Sequence, residues 1–357
     1  MKAKPGELPP RLPKDETIHG GRVFEAARRW NVDPASVIDF SSNINPLGPS
    51  QQVLTAIESS LTPSRLRAYP DAHSFVAALS QRHGVTKDEI VVGSGVASLL
   101  FATMRAIPPT RVLILEPAFA EYGRASAAAH ASVTTLQLTD HNCFTPDFEA
   151  LAQAVEAQRF DVLVLNSPHN PSGNLYARAD LLSLLDVAER TNTYVVLDEA
   201  FVDYVPECSL VSLAATRTNL VVLRSLTKFY AFPGLRVGCA VCATELAKAM
   251  ARQIDPWSVS TVALEAARAA LAEGSFDERT RAVNAAARDE FTNALCKAGM
   301  HVYPSVANFL LVKLPHGSAA TLAQWLEAQH ILIRQCDSFA GLTDKHIRLA
   351  SDRVKTI

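Results

Sequence analysis

From about residue 90 the chain repeats one pattern of polarity: a short run of consecutive apolar residues, a turn, then a longer stretch with apolar residues at helical spacing. The runs Ile90–Val92, Val112–Leu115, Val162–Leu165, Tyr194–Leu197 and Leu220–Leu223 have the length of strands, and their lack of polar alternation predicts burial on both faces. Helix-compatible stretches lie between them, at Ala97–Ala106, Asp147–Ala157 and Asp180–Arg190. This alternation predicts an α/β fold with a mainly parallel sheet covered by helices. After about residue 245 the texture changes to Ala-rich helical patterns at Val262–Ala272 and Arg279–Ala298 and then a strand candidate, Asn308–Lys313, which predicts a smaller α+β domain. The stretch His19–Ala35 reads as an amphipathic helix, followed by the polar loop Asp39–Gly48. The expected organisation is 1–48 as an N-terminal segment joining the small domain, 49–245 as the large domain and 246–357 as the small one. No internal repeat or low-complexity segment interrupts it.

Composition narrows the classes of function. Of 357 residues 48% are hydrophobic and 20% charged, the balance of a soluble globular protein. A formal net charge of -2 provides no global basic field, so nucleic acid and anionic membranes are not expected partners. No apolar run approaches the roughly 18 residues of a spanning helix, and the start, with Pro5, Glu7, Pro9, Pro10, Asp15 and Glu16, lacks the apolar core of a signal peptide. The expected location is the cytoplasm. The six cysteines are scattered and read as reduced thiols. Cys239 and Cys242 form a C-x-x-C inside the apolar run Val237–Ala243, without a second cysteine or histidine pair nearby, and predict a buried strand and no metal.

Ligands of parallel sheets bind beyond the carboxyl ends of the strands. The candidate chemistry therefore lies in Gly93-Ser-Gly95, Glu116-Pro-Ala-Phe119, Asn166-Ser-Pro-His-Asn170, Asp198-Glu199 and Arg224-Ser-Leu-Thr-Lys228. A lysine just after a buried strand can be desolvated, which lowers its pKa and frees the amine to attack an aldehyde. The hydroxyls of Ser225 and Thr227 and the guanidinium of Arg236 would supply a phosphate pocket beside Lys228. Asp198 can pair with a protonated pyridine nitrogen or cap a helix. Asn170 can donate its amide to a phenolate oxygen or serve a Pro/Gly turn. Phe119 can stack on a ring or belong to the core.

The set Gly-x-Gly, Pro-Ala-Phe, Asn-Pro-Ser-Gly, Asp-Glu-Ala-Phe, Ser-Leu-Thr-Lys and Gly-Leu-Arg, in this order, resembles the pyridoxal-phosphate (PLP) enzymes of fold type I, the aspartate-aminotransferase fold. The resemblance runs from about His19 to Arg348 and is strongest to the branch holding histidinol-phosphate aminotransferase and the threonine-phosphate decarboxylase of cobalamin synthesis. It implies pyridoxal 5′-phosphate as cofactor, with Lys228 as the Schiff-base lysine, Asp198 as the pyridinium partner, Asn170 as the phenolate donor and Phe119 as the stacking ring. Ser225, Thr227, Arg236 and the backbone N–H groups of Gly95, Val96 and Ala97 would hold the cofactor phosphate. Where relatives often carry Glu-Thr-Glu this chain has Val96-Ala97-Ser98, so one hydroxyl contact is expected to be missing and backbone amides to suffice. Tyr69, in Arg67-Ala-Tyr-Pro-Asp71, resembles the tyrosine that reaches the phosphate of a neighbouring subunit, which implies a homodimer with shared active sites. The chain stops at Ile357, where relatives continue into a terminal helix, so either the sequence is cut short or the small domain lacks that cover and exposes apolar surface.

Two chemistries share these cofactor residues, and four features resemble the decarboxylase. His19-Gly20-Gly21 resembles its N-terminus, where the histidine lies by the substrate, although such a histidine is also an ordinary surface or capping residue. The loop Asp39–Gly48 resembles its substrate loop, with Asn43 as a contact and Ile44 where the aminotransferases commonly carry Glu. The run Val222–Arg236 is similar almost throughout. Phe201 stands where related aminotransferases usually have a tyrosine that donates to the phenolate oxygen, which phenylalanine cannot do. Arg334 and Arg348, fourteen residues apart, match the family's two substrate-binding arginines, and either alone could be a solvated surface charge. Their planar forks suit both carboxylate and phosphate. The resemblance thus implies decarboxylation of O-phospho-L-threonine to (R)-1-aminopropan-2-ol phosphate, the substrate being held by His19, Gly20, Asn43, Asn170, Arg334 and Arg348. Histidinol-phosphate aminotransferase, or a related class II aminotransferase, is the alternative. A PLP-binding regulator is a third class, disfavoured by the absence of a DNA-binding arm.

Overall fold

A strand without polar alternation has to bury both of its faces, and the computed structural model, which describes residues 19–351, shows how this chain does so. Its strands are β1 (Ile38–Asp39), β2 (Ile90–Gly93), β3 (Arg111–Glu116), β4 (Ser132–Gln137), β5 (Val162–Asn166), β6 (Tyr194–Asp198), β7 (Leu220–Ser225), β8 (Gly238–Cys242), β9 (His301–Val302), β10 (Phe309–Lys313), β11 (Ile331–Leu332), β12 (Arg334–Gln335) and β13 (His346–Ala350). The main sheet has the order β2-β8-β7-β6-β5-β3-β4. From β7 to β4 it is parallel, and β8 lies antiparallel between β7 and β2. All five expected apolar runs are in this sheet, and Cys239 and Cys242 are buried thiols of β8.

Successive side chains of a strand point to opposite faces, so the apolar runs split between two cores. Leu113, Leu163, Leu197 and Val222 pack on one side of the sheet, and Val112, Val164, Val196 and Val221 on the other. Helices Phe148–Gln158 and Arg178–Arg190 cover the first core, and helices Gly95–Ala106 and Glu121–Ala128 the second. Asp147 caps the Phe148–Gln158 helix by accepting from the N–H groups of Glu149 and Ala150.

The helix expected over 19–35 is shorter and spans Val23–Trp30. Asn31 takes the left-handed conformation that ends it (φ 55), and Pro34 disfavours a helical backbone at Asp33. His19 and Gly20 therefore precede the helix as irregular chain.

A second, antiparallel sheet has the order β12-β13-β10-β9, and β1 pairs with β11. Phe40 shares a core with Leu310, Val312, Ile347 and Leu349 of this sheet and with Phe291 of the long helix Gly274–Lys297. Helices Thr244–Ala251 and Thr261–Leu271 pack on helices Gly95–Ala106 and Gln51–Ser60 of the larger unit. The stretch from 246 to 271 thus lies against the larger unit. The proline-rich start and the last six residues, on which the expectations about a signal peptide and a terminal apolar face rested, lie outside the described residues. Among the described residues no helix is long and apolar enough to cross a membrane, and no group of three or more His, Cys, Asp or Glu could hold a metal ion.

Strand β8 lies so close to β7 that a Cβ at Gly238 would stand 2.7 Å from the Arg224 carbonyl oxygen. Gly238→Ala is expected to lower stability by about 1–3 kcal/mol. Gly234→Ala, with nothing within 4 Å of its Cβ, should leave the melting temperature nearly unchanged. Identical melting curves for the two variants would contradict this packing.

Candidate active site

Strands β3, β5, β6 and β7 end in Glu116, Asn166, Asp198 and Ser225, and parallel alignment brings these ends to one edge of the sheet. Register sets their spacing, with Asn166 opposite Asp198 and Ser225 opposite Gly238. Beyond this edge opens a cavity of about 740 Å³. Its wall includes Lys228, Asp198, Asn170, Phe119, Ser225, Thr227, Arg236, Val96 and Ala97, together with His19, Gly20, Asn43, Arg334 and Arg348.

Two ionisable groups at the sheet edge are displaced in opposite directions. Burial, reinforced by the charges of Arg348 and Arg236 and opposed by Asp198, pulls the Lys228 amine down to about 8. Such an amine is a far better nucleophile near neutral pH than a surface lysine. Burial pushes the Asp198 carboxyl up to about 6, although the Tyr122 hydroxyl donates to Oδ2 at 2.8 Å and the Ala200 N–H to Oδ1 at 2.9 Å. Asn166 ties the neighbouring loop to β6: its Nδ2 donates to the Asp198 carbonyl at 2.7 Å and its Oδ1 accepts the Asn170 N–H at 2.6 Å.

An anion cradle lies in the same wall. The helix Gly95–Ala106 starts there, and its first-turn N–H groups have no partner inside the helix. Gly95 has φ +82, and Arg236 packs so closely on it that a Cβ would be 2.7 Å from Nη2. The hydroxyl oxygens of Ser225 and Thr227 are 2.9 Å apart. A helix N-terminus, two hydroxyls and a guanidinium suit a phosphate. Val96 and Ala97 contribute no side-chain donor, and the Ser98 hydroxyl is taken by the Gly95 carbonyl at 3.1 Å.

On the side of the second sheet, β12 and β13 set Arg334 directly opposite Arg348. Like charges at such positions repel, and both residues are buried. Arg348 donates through Nη1 to Asn170 Oδ1 at 2.6 Å and through Nη2 to the Ser41 carbonyl at 3.1 Å, while its Nε has no partner. Burial lowers its pKa to about 10. Arg334 donates to the Ser338 hydroxyl at 2.7 Å and lies over the Phe339 ring at 5.0 Å. Asn43 is buried with an unpartnered Oδ1. His19 Nε2 lies 3.2 Å from Glu121 Oε1, and the ring sits 5.8 Å from that of Phe119. Four cations, Lys228, Arg236, Arg334 and Arg348, thus face two carboxylates, Asp198 and Glu121, an imbalance that an anionic ligand would correct.

Tyr69 does not reach this cavity. It is 74% exposed and stacks on Trp257 with centroids 4.2 Å apart. Three contributors carried no role in the sequence reading: Tyr122, Glu121 and the Ser41 carbonyl. Tyr122 and Glu121 follow Phe119 closely, and the only signal for them was that a helix starting there turns its first residues towards the strand ends. A backbone carbonyl such as that of Ser41 leaves no signal in sequence.

The family model for aminotransferase class I and II matches residues 35–351. Among curated proteins, the threonine-phosphate decarboxylase of Salmonella typhimurium is 36% identical over 94% of this chain and 92% of its own length. The histidinol-phosphate aminotransferase of Methanosarcina barkeri is 33% identical over 93% and 89%. The crystal structure of L-threonine-O-3-phosphate decarboxylase from Porphyromonas gingivalis superposes with a TM-score of 0.78, at 28% identity, over 90% of this chain and 96% of that one.

The bond from Tyr122 is one of the contacts that hold the Asp198 carboxyl down against burial. Tyr122→Phe should therefore raise it further above about 6. Carbon-13 NMR of aspartate-labelled protein reads that titration directly, and an unchanged or lower midpoint would show that the hydroxyl does not act on Asp198.

Proposed function

The chain belongs to the class I and II aminotransferase family, with the aspartate-aminotransferase-like α/β fold and pyridoxal 5′-phosphate as its cofactor, and within that family we propose that it decarboxylates O-phospho-L-threonine. The residues present fit the cofactor: a buried amine lowered to about 8 at Lys228, a buried carboxylate at Asp198 and a phosphate cradle built on Gly95, Ser225, Thr227 and Arg236. Lys228 would carry it, Asp198 would hold the proton of its ring nitrogen, Asn170 would donate to its phenolate oxygen and Phe119 would cover one face. Bound there, the cofactor supplies an electron sink for a bond broken at the substrate α-carbon.

The observation that supports a decarboxylase over an aminotransferase is that His19, Gly20 and Asn43 line the Lys228 cavity, since these residues carry the resemblance to the decarboxylase. Phe201 lies in the same wall, edge-to-face on Phe309 with centroids 4.9 Å apart, and has no hydroxyl to offer. The two arginines divide by depth. Lys228 feels the charge of Arg348, and His19 that of Arg334. Arg348 is therefore assigned to the carboxylate, which sits next to the reacting amine, and Arg334 with His19 to the phosphate, which reaches outward from Cβ. With both anions held, rotation about the Cα–N bond is fixed and the carboxylate bond is the one presented for cleavage. Once carbon dioxide has left, Lys228 in its protonated form would supply the proton that replaces it at Cα, and the product would be (R)-1-aminopropan-2-ol phosphate, a building block of cobalamin.

The reading includes a homodimer with shared sites, in which the exposed Tyr69–Trp257 pair, with exposed Leu61 and Leu66 nearby in sequence, meets the neighbouring subunit. Six unpaired cysteines suit a reducing cytoplasm. The second reading is a histidinol-phosphate aminotransferase, supported by a relative at 33% identity against 36% for the decarboxylase, and that chemistry needs a 2-oxo acid as amino acceptor.

Two experiments follow. Borohydride reduction of the isolated protein should fix the cofactor to Lys228, and Lys228→Ala should lose both the link and essentially all turnover; labelling at another lysine would remove the central assignment. Incubated with O-phospho-L-threonine alone, the enzyme should release carbon dioxide steadily, and with histidinol phosphate plus 2-oxoglutarate it should form little glutamate. Sustained glutamate without carbon dioxide would make it an aminotransferase.

A further inference from the structure

Glu121 is out of place in a cavity built for anions. An acidic residue in the first turn of a helix usually faces solvent and gains from the helix dipole. Glu121 opens the helix Glu121–Ala128, yet its side chain is only 9% exposed and meets His19 across 102 residues of sequence. An unbalanced carboxylate there would repel a phosphate. The arrangement becomes favourable if the imidazole between the two carries a proton, because the charges then alternate from carboxylate to imidazolium to phosphate.

The surroundings hold His19 in place for this. Gly21 N–H donates to the Ser41 hydroxyl at 2.9 Å, and a side chain at Gly20 would overlap the Ser41 carbonyl oxygen. That same carbonyl accepts from Arg348, so the segment bearing His19 is seated on the loop that also fixes the floor of the cavity. With Nε2 bound to Glu121, the other ring nitrogen, Nδ1, is left for a ligand. Three charges face the imidazole: Glu121 and Arg124 from the helix and Arg334 from β12. Arg22 lies nearby in its own segment and pairs with Glu25 at 3.5 Å. Burial, helped by the two facing arginines, holds the His19 ring below its ordinary pKa, and Glu121 opposes them. Arg124 also binds Glu121 Oε1, at 2.7 Å, and so competes with His19 for the same oxygen.

We propose that Glu121 is a positioning residue for phosphate recognition: it holds His19 by Nε2 and keeps the ring able to take up a proton, so that a phosphate monoester binds with proton uptake at His19. This rests on the assignment of the phosphate to His19 and Arg334. Affinity, referred to the phosphate dianion, is then highest where His19 is protonated in the free enzyme and declines as pH rises towards the pKa of the complex. Removing the carboxylate weakens the ring's hold on its proton and moves the whole curve to lower pH.

The test uses PLP-loaded enzyme and propyl phosphate, a probe with neither amine nor carboxylate that cannot be turned over. Calorimetry in buffers of different ionisation enthalpy, from about pH 5 to pH 8, gives affinity and proton uptake together. Glu121→Gln should shift the affinity curve down by on the order of one pH unit, so that binding is up to about tenfold weaker on its falling flank and equal or tighter at the acid end. His19→Gln should abolish the uptake and leave only the proton that the probe's own second ionisation releases. Arg124→Ala, at an exposed position, should move the curve the other way, to higher pH, and gives the test if Glu121→Gln does not load cofactor. A merely structural Glu121 predicts weaker binding at every pH, and a merely repulsive one tighter binding at every pH; either result overturns the proposal. If propyl phosphate binds no variant, the phosphate assignment fails with it, whereas binding without a shift in Glu121→Gln sinks this inference alone.

Discussion

The guanidinium of Arg348 is the point on which the arrangement of the cavity depends. A buried cation must find acceptors or it destabilises the fold, and the two that Arg348 finds belong to separate stretches of chain: Asn170 Oδ1, in the loop after β5, and the Ser41 carbonyl, in the loop after β1. Satisfying one side chain thus draws the main sheet, the N-terminal loop and the second sheet together around a single space. Arg348 retains an unpartnered Nε and Arg334 as its cross-strand neighbour, so the protein alone does not complete its environment. The remaining deficit is negative charge, which in the proposed function the substrate carboxylate would supply.

The same reasoning explains why the cavity can hold reactive groups at neutral pH. Lys228 and Asp198 sit at the ends of adjacent parts of a parallel sheet whose strands are buried on both faces, and desolvation moves the amine down and the carboxyl up. Neither movement would survive in a mobile loop, because water would follow the side chain. The hydrogen bonds from Tyr122 and Ala200 keep Asp198 accessible as a carboxylate despite its burial. Stability and chemistry are linked here: apolar strands pack the sheet tightly, and its edge supplies a dry, fixed setting for two charges.

Charge decreases in cost towards the rim. His19 is about half exposed and pairs with a carboxylate, while Arg348 and Asp198 are almost completely enclosed. A ligand with two anions separated by several bonds matches such a gradient, one end in a dry site with a permanent cation and the other near solvent beside a titratable one.

The sequence by itself determined the α/β class, the five central strands and the residues at their ends. The reason is local: a run such as Val162–Leu165 can satisfy its apolar side chains only in a sheet covered on both faces, and the residue after it then lies at the sheet edge. Family resemblance added Arg334, Arg348, His19 and Asn43 to that edge. What tertiary structure alone decided were relations between distant segments. The Tyr122–Asp198 bond spans 76 residues and the Arg348–Ser41 contact 307, and the latter ends on a backbone oxygen that every residue type provides. The end of the first helix at Trp30 turned on the left-handed backbone of Asn31, against an amphipathic pattern that continued beyond it. Glu121 reads in sequence as an acid at a helix start, and only the fold brings His19 to its carboxylate. Periodicity encodes burial, while pairing between polar groups depends on where two independently folded segments meet.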